Sequence, residues 1–202
     1  MVSSVRYRTV MRTAPQHRRL ARSDWVAAAL DALIESGPAA VAIEPLAAAM
    51  GTTKGSGYHH FRSRDELLRA ALDAYRAEHT RSVIDQVDRA GGSPQDRLVL
   101  LFERVKARAG RPTEFRMLAS VDPIVREAIE RVTAERIGYL ERLMRDAGFS
   151  RAEAHRRSLL AYFTYLGQSA LAESVPSALP GTRHGDGALQ NTIIQALLSP
   201  PG

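Results

Sequence analysis

Apolar positions recur along this chain at helical spacing, and no stretch keeps the strict two-residue alternation that would predict a strand. Val26, Ala29, Leu30, Leu33 and Ile34 fall at i, i+3, i+4, i+7 and i+8, one core-facing stripe. Ser23 reads as its cap, Asp24 sits in its first turn at the positive end of the dipole, and Gly37-Pro38 ends it. A second helix starts near Ile43, with Glu44 and Pro45 in the first turn, where proline is tolerated. Leu46, Ala47 and Met50 form its apolar face. Gly51 can take the left-handed conformation that closes a helix, and Thr53 is a natural N-cap for a third, running from Lys54 to about Phe61. Ser63-Arg64-Asp65-Glu66 is a capping box that opens a fourth helix, which runs to about Arg89, before Gly91-Gly92 breaks it.

The remainder is punctuated in the same way. Ser93-Pro94 opens a fifth helix that ends at Gly110, and Pro112 begins a short sixth. Asp122-Pro123 opens a seventh, ending at Gly148, and the second capping box, Ser150-Arg151-Ala152-Glu153, opens an eighth. A loop carrying Pro176, Pro180, Gly181, Gly185 and Gly187 follows, then a last helix over about Ala188 to Leu198. The pattern predicts an all-α fold of about nine helices without internal repeats. Its expected parts are a basic arm over 1–22 that is disordered alone, a three-helix unit over 23–68 and a helical body over 69–202.

Two helices joined by a three- to four-residue turn containing glycine, as at 46–58, form a helix-turn-helix. The third helix is too polar to bury much. It offers Lys54, Ser56, Tyr58, His59 and His60 outward, and lysine, hydroxyls and imidazole suit phosphates and base edges. Gly55 and Gly57 each cost a helix roughly 1 kcal/mol against alanine, and the cost at Gly55 points to a close backbone approach from outside. Charge changes the picture further. Of the net +6, residues 1–64 carry +5, from nine Lys/Arg and four acids, while the other 138 residues carry +1. Basic excess gathered around a candidate recognition helix is the footprint of a polyanion ligand.

With these residues in place, the chain resembles the TetR/AcrR family of bacterial transcriptional regulators. The resemblance is carried by Val41-Ala42-Ile43-Glu44-Pro45-Leu46-Ala47, by Met50 through Phe61 with its Tyr58-His59-His60-Phe61 ending, and by Ser63-Arg64-Asp65-Glu66-Leu67-Leu68. It spans about residues 20 to 70; beyond them only the architecture is similar. It implies base contacts at Lys54, Gly55 and Tyr58, and phosphate contacts at Ser56, His59, His60 and Arg64. Thr53 as the cap, Arg22 at the end of the arm and Glu44, which stands where a base-reading side chain can sit, complete the expected DNA-binding set. Ala42 and Ile43 depart from the family's hydroxyls. Gly57 departs from its large apolar residue, which leaves the hydrophobic staple of the third helix weak and predicts a loosely held recognition helix.

The same resemblance implies a homodimer on a palindromic double-stranded operator, since two-fold protein symmetry matches half-sites roughly 34 Å apart. Leu160, Phe163, Gly167, Ala170 and Leu171 of the eighth helix, with Leu189, Ile193 and Leu197 of the ninth, are the expected interface. It also implies a small-molecule effector, apolar or aromatic, in a pocket lined by Phe102, Phe115, Met117, Leu118, Tyr139, Met144, Tyr162 and Tyr165. Other readings are an architectural DNA binder indifferent to sequence, and a regulator without an effector. No catalytic residue, metal site or cofactor is expected. There is no cysteine, no glycine-rich phosphate loop and no His/acid cluster at metal spacing. Neighbouring His59 and His60 point about 100° apart on a helix and cannot share one ion. No signal peptide is read at the Arg-bearing N-terminus and no apolar run reaches a membrane span, so the cytoplasm is the expected compartment.

Overall fold

The computed structural model describes residues 20–106, 113–178 and 187–199. The arm over 1–19, the expected end of the fifth helix at Gly110 and the loop residues Pro180, Gly181 and Gly185 lie outside them. Among the described residues the chain is helical throughout, with no strand. The helices are α1 (Arg22–Ser36), α2 (Ile43–Ala49), α3 (Lys54–His60), α4, α5 (Pro94–Lys106), α6 (Thr113–Leu118), α7 (Pro123–Asp146), α8 (Arg151–Ser174) and α9 (Gly187–Leu198). α4 is a composite, with Arg64–Arg76 and Ser82–Ala90 joined by a π-helical turn over Ala77–Arg81.

Local chemistry places most boundaries. Gly51 has φ +65°, and the Thr52 and Gly51 amides return to the Ala47 and Ala48 carbonyls at 2.9 and 3.2 Å, which closes α2. The Thr53 hydroxyl accepts from the Ser56 amide, and the Ser63 hydroxyl from Glu66. Ser93 and Asp96 cap each other at the start of α5, the Asp122 carboxylate accepts from the Ile124 amide in front of α7, and Ser150 accepts from Glu153 at α8. The start of α1 corrects the expected cap. Ser23 lies inside the helix and the cap position is Ala21, whose amide donates to the Asp24 carboxylate at 2.7 Å. Asp24 therefore performs the capping from within the first turn.

Two apolar clusters hold the fold. The first joins α1 to α3 with the front half of α4 and with α6 and α7, from Trp25, Leu33, Ile43 and Phe61 through Leu68 and Tyr75 to Met117, Val125 and Ile129. The second lies among the rear half of α4, α5, α7, α8 and α9, from Val83, Val87 and Leu98 to Tyr139, Met144, Tyr162 and Leu197. The expected boundary at 68/69 thus falls inside a continuous helix, and the first cluster spans head and body. Polar contacts add to that seam. Arg64 donates to the Pro38 carbonyl at 3.0 Å and to the Asp122 carboxylate at 3.3 Å.

Candidate nucleic-acid interface and effector cavity

α3 is short because its amphipathic load is small, and its orientation comes from a notch. Gly57 is buried against α1 and α2. A Cβ placed there would lie 2.5 Å from Ile43 Cγ2 and 2.7 Å from Trp25 Cη2. Trp25 and Phe61 are fully buried. The large side chains at 25 and 43 fill the space that a side chain at 57 would take. The expectation of a loosely held helix rested on the weak staple; the notch adds packing of α3 against α1 and α2 that the staple does not supply. The Trp25 indole N–H, buried in this packing, has no hydrogen-bond partner. The tryptophan is there for volume.

With Gly57 facing inward, Lys54, Gly55, Tyr58 and His59 face solvent and Ser56 is half-buried. Tyr58 is 50% exposed, unusually open for a large aromatic ring. Gly55 meets only the Thr53 hydroxyl oxygen, at 3.7 Å. Among the described residues nothing requires a glycine there, in contrast to Gly57. Lys54 and Tyr58 stand one turn apart on the N-terminal part of the helix, the part that enters a major groove in helix-turn-helix proteins. Lys54 Nζ lies 3.3 Å from Glu44 Oε1, both side chains mostly exposed. Glu44, on the helix before it, is thus within ion-pair reach of the lysine.

The remaining expected contacts are distributed differently. His60 Nε2 lies 2.9 Å from the Leu20 carbonyl oxygen. A carbonyl only accepts, so that nitrogen carries the proton and donates inward. The Arg22 guanidinium lies 4.6 Å above the Phe61 ring. Together these two contacts fasten the end of the arm to the end of α3. Arg64, expected at a phosphate, spends its guanidinium on Pro38 and Asp122 as described above. A phosphate would have to draw it away from that bridge.

The body encloses a cavity of about 510 Å³. Phe102, Tyr139, Tyr162 and Tyr165 of the expected set line it, with Tyr75, His79 and Thr80 of α4, Thr113 of α6 and Arg136 of α7. Met117 and Met144 are buried in the two cores and do not line it, and Leu118 is 42% exposed on the surface. The side chain of Phe115 lies outside the described residues. The polar part of the cavity was missed from sequence because a lone arginine on an amphipathic helix reads as solvated.

Arg136 is in fact the hub. Its guanidinium donates to the Glu114 carboxylate, to Thr80 Oγ1 at 3.0 Å and to the His79 carbonyl at 3.1 Å. The Tyr162 hydroxyl donates to the other oxygen of Glu114 and lies 3.1 Å from the Thr133 hydroxyl. Burial works against the charge on Arg136, but Glu114 and the surrounding tyrosines outweigh it and hold its pKa above the ordinary value. Burial, then Glu114, pushes Tyr162 and Tyr165 up, so both stay neutral phenols.

A separate face runs along α8. Leu160, Phe163, Gly167 and Leu171 are exposed at spacings of three and four, Ala170 beside them is half-buried, and Val175 extends the line. Leu189 on α9 is exposed as well, and Ile193 half-buried. Leu197 departs from the expected interface: it is 1% exposed and belongs to the second core. Among the described residues no group of three or more His, Asp and Glu side chains could hold a metal ion, and no helix is long and apolar enough to cross a membrane.

Residues 26–71, the head and the front of α4, match the family described as bacterial regulatory proteins, tetR family. No curated protein sequence matches the chain. Among solved structures, the fold is similar to a TetR transcriptional regulator from Chloroflexus aurantiacus, with 23% identity, TM-score 0.69, 88% of this chain and 92% of that one covered. It is also similar to a putative TetR transcriptional regulator from Streptomyces avermitilis, with 24% identity, TM-score 0.68 and coverage of 87% and 97%. A more distant likeness, at 12% identity, TM-score 0.64 and coverage of 88% and 98%, is to the transcriptional regulator FadR from Bacillus subtilis, solved in complex with stearoyl-CoA.

Proposed function

We propose that this chain, which belongs to the TetR family of bacterial regulatory proteins through its head, is a DNA-binding transcriptional regulator acting in the cytoplasm as a dimeric repressor, released from a palindromic operator by a small molecule held in the body. The observation that carries the DNA-binding reading is the outer face of α3. A lysine, an unobstructed glycine and an exposed tyrosine occupy the groove-entering end of a helix that is wedged from below. Lys54 and Tyr58 read base edges, Gly55 admits the backbone close to the groove wall, and Ser56 and His59 meet phosphates. Thr53 and Glu44 position this set, and Arg22 and His60 hold the arm beside it.

α6 is the route by which cavity occupancy would reach the head. Its Thr113 lines the cavity and its Glu114 pairs with Arg136 of the lining, while the Thr113 hydroxyl donates to the Ile34 carbonyl at 3.0 Å and Arg116 to the Glu35 carbonyl at 2.8 Å. Those two carbonyls are among the unsatisfied acceptors at the C-terminus of α1. A ligand that fits only one arrangement of α6 and α4 biases the head accordingly, because only differential affinity can shift such an equilibrium.

The test is selection of bound sequences from a random DNA pool. The expected winner is a palindrome with half-sites about 34 Å apart, bound roughly 10³-fold or more tighter than random DNA. Lys54→Ala and Tyr58→Ala should each cost about 1–3 kcal/mol on that site and relax its specificity. Enrichment of nothing, with binding that vanishes as salt rises, would instead make the chain an architectural binder.

A further inference from the structure

The cavity is two-toned along its length. α4 and α7 both leave the head at the Arg64–Asp122 contact and run away from it side by side. Near the head they supply Tyr75, His79, Thr80 and Arg136; further out, Val83, Ile84, Tyr139 and Leu140. α5 adds Leu101, Phe102 and Val105. The Tyr139 hydroxyl is turned out of use, donating to Asp88 at 2.7 Å. A ligand therefore meets an apolar chamber with one polar end. That end is rich in hydrogen-bonding groups, and the charge of its Arg136 is met by Glu114, a buried partner outside the lining itself. Glu114, 2% exposed, is held by Arg136 and by the Tyr162 hydroxyl, and Arg136 is held by Glu114, Thr80 and the His79 carbonyl.

An anionic ligand drawn to Arg136 would compete with Glu114 for it and bring a second carboxylate beside a buried one. A cationic ligand would have to take Glu114 from Arg136 and leave the guanidinium without its counter-charge. Either approach sets a like charge beside a buried one or deprives a buried charge of its partner, which costs up to several kcal/mol. An uncharged polar group displaces neither partner. It can hydrogen-bond to the phenols of Tyr75 and Tyr165 in the lining, which remain neutral.

We infer that the cavity is built for an uncharged amphipathic ligand, an aromatic or aliphatic body ending in a hydroxyl or carbonyl, and that the Glu114–Arg136 pair is the filter that rejects organic acids and amines of the same shape. This rests on the reading of the cavity as the effector site. The pair works by exclusion. Its members are locked to each other across α6 and α7, so ligand charge is discriminated without any contact to a free ion.

The experiment is calorimetric titration of the intact protein with 4-hexylphenol, 4-hexylbenzoate and 4-hexylbenzylammonium, three probes of one shape. The phenol should bind at least about tenfold more tightly than either ion, the size of one lost hydrogen bond to a charged group. In Glu114→Gln the guanidinium loses its counter-charge, and the benzoate should overtake the phenol; in Arg136→Gln the ammonium should gain. If those variants prove too unstable to titrate, the double variant Glu114→Gln/Arg136→Gln, neutral again, should bind the phenol as the native protein does while the preference for it over both ions shrinks; an unchanged preference overturns the filter. Benzoate or ammonium binding the native protein as tightly as the phenol overturns the filter but leaves the effector site standing. Failure of all three probes to bind native protein and every variant overturns the effector site together with the filter.

Discussion

Two glycines in one seven-residue helix do opposite things, and substitution separates them. At Gly57 the absent side chain is required by the fold, since Ile43 and Trp25 already occupy its place. Gly57→Ala should destabilise the free protein by about 1–3 kcal/mol through overpacking. At Gly55 there is open space. Gly55→Ala should leave stability unchanged or raise it by up to about 1 kcal/mol, while weakening operator binding. Urea denaturation beside fluorescence anisotropy on the selected operator measures both; an alanine at 55 that leaves DNA affinity intact would remove the close backbone approach from the account. Glycine's cost to a helix was visible in the sequence at both positions. Which of the two served the core was not, because that depended on a tryptophan more than thirty residues upstream.

At the scale of elements, the informative feature is the π turn over Ala77–Arg81 in α4. Its hydrogen-bond slack needs outside support, and α7 supplies it with two consecutive residues. Arg136 takes the His79 carbonyl and Thr80, and Glu135 accepts from Arg76 Nε at 2.5 Å and Arg81 Nε at 3.2 Å, one arginine before the turn and one at its end. Burial would raise the Glu135 pKa, but the two arginines outweigh it and hold the carboxyl below its ordinary value. The sign follows: the stabilisation is present in full above the unfolded pKa of about 4.3 and is lost as pH falls through the lower folded value. Glu135→Gln should thus cost about 1–2 kcal/mol near neutrality, and the gap from native protein should close as the pH is lowered through that window, read by denaturation at a series of pH values. A gap independent of pH would show that the carboxylate charge is not what holds the turn. The helices themselves were legible because caps and glycines punctuate them. The π turn was not, since Ala77-Glu78-His79-Thr80-Arg81 is unremarkable helical sequence and its deviation is imposed by α7.

For the whole molecule, the exposed line of Leu160, Phe163, Gly167 and Leu171 on α8 is the surface through which we expect two copies to meet. Phe163 is 61% exposed, so Phe163→Glu should change monomer stability by no more than about 0.5 kcal/mol. It should convert a dimer into a monomer by sedimentation equilibrium, and lower affinity for a full palindrome far more than for a single half-site. A variant that stays dimeric would place the interface elsewhere. Local physics in the sequence determined the all-helical class, nearly every helix boundary and the polar face of α3. Caps, breakers and the 3.6-residue period act within a few residues and need no partner to be read. Only the tertiary structure decided what lies between helices. It put Leu197 in the core, seated Gly57 under Trp25, committed Arg64 to Asp122, and buried Arg136 against Glu114 in the cavity. Each of those depends on which distant side chain fills the facing space, and a periodic pattern tells that a face is buried without telling what it is buried against.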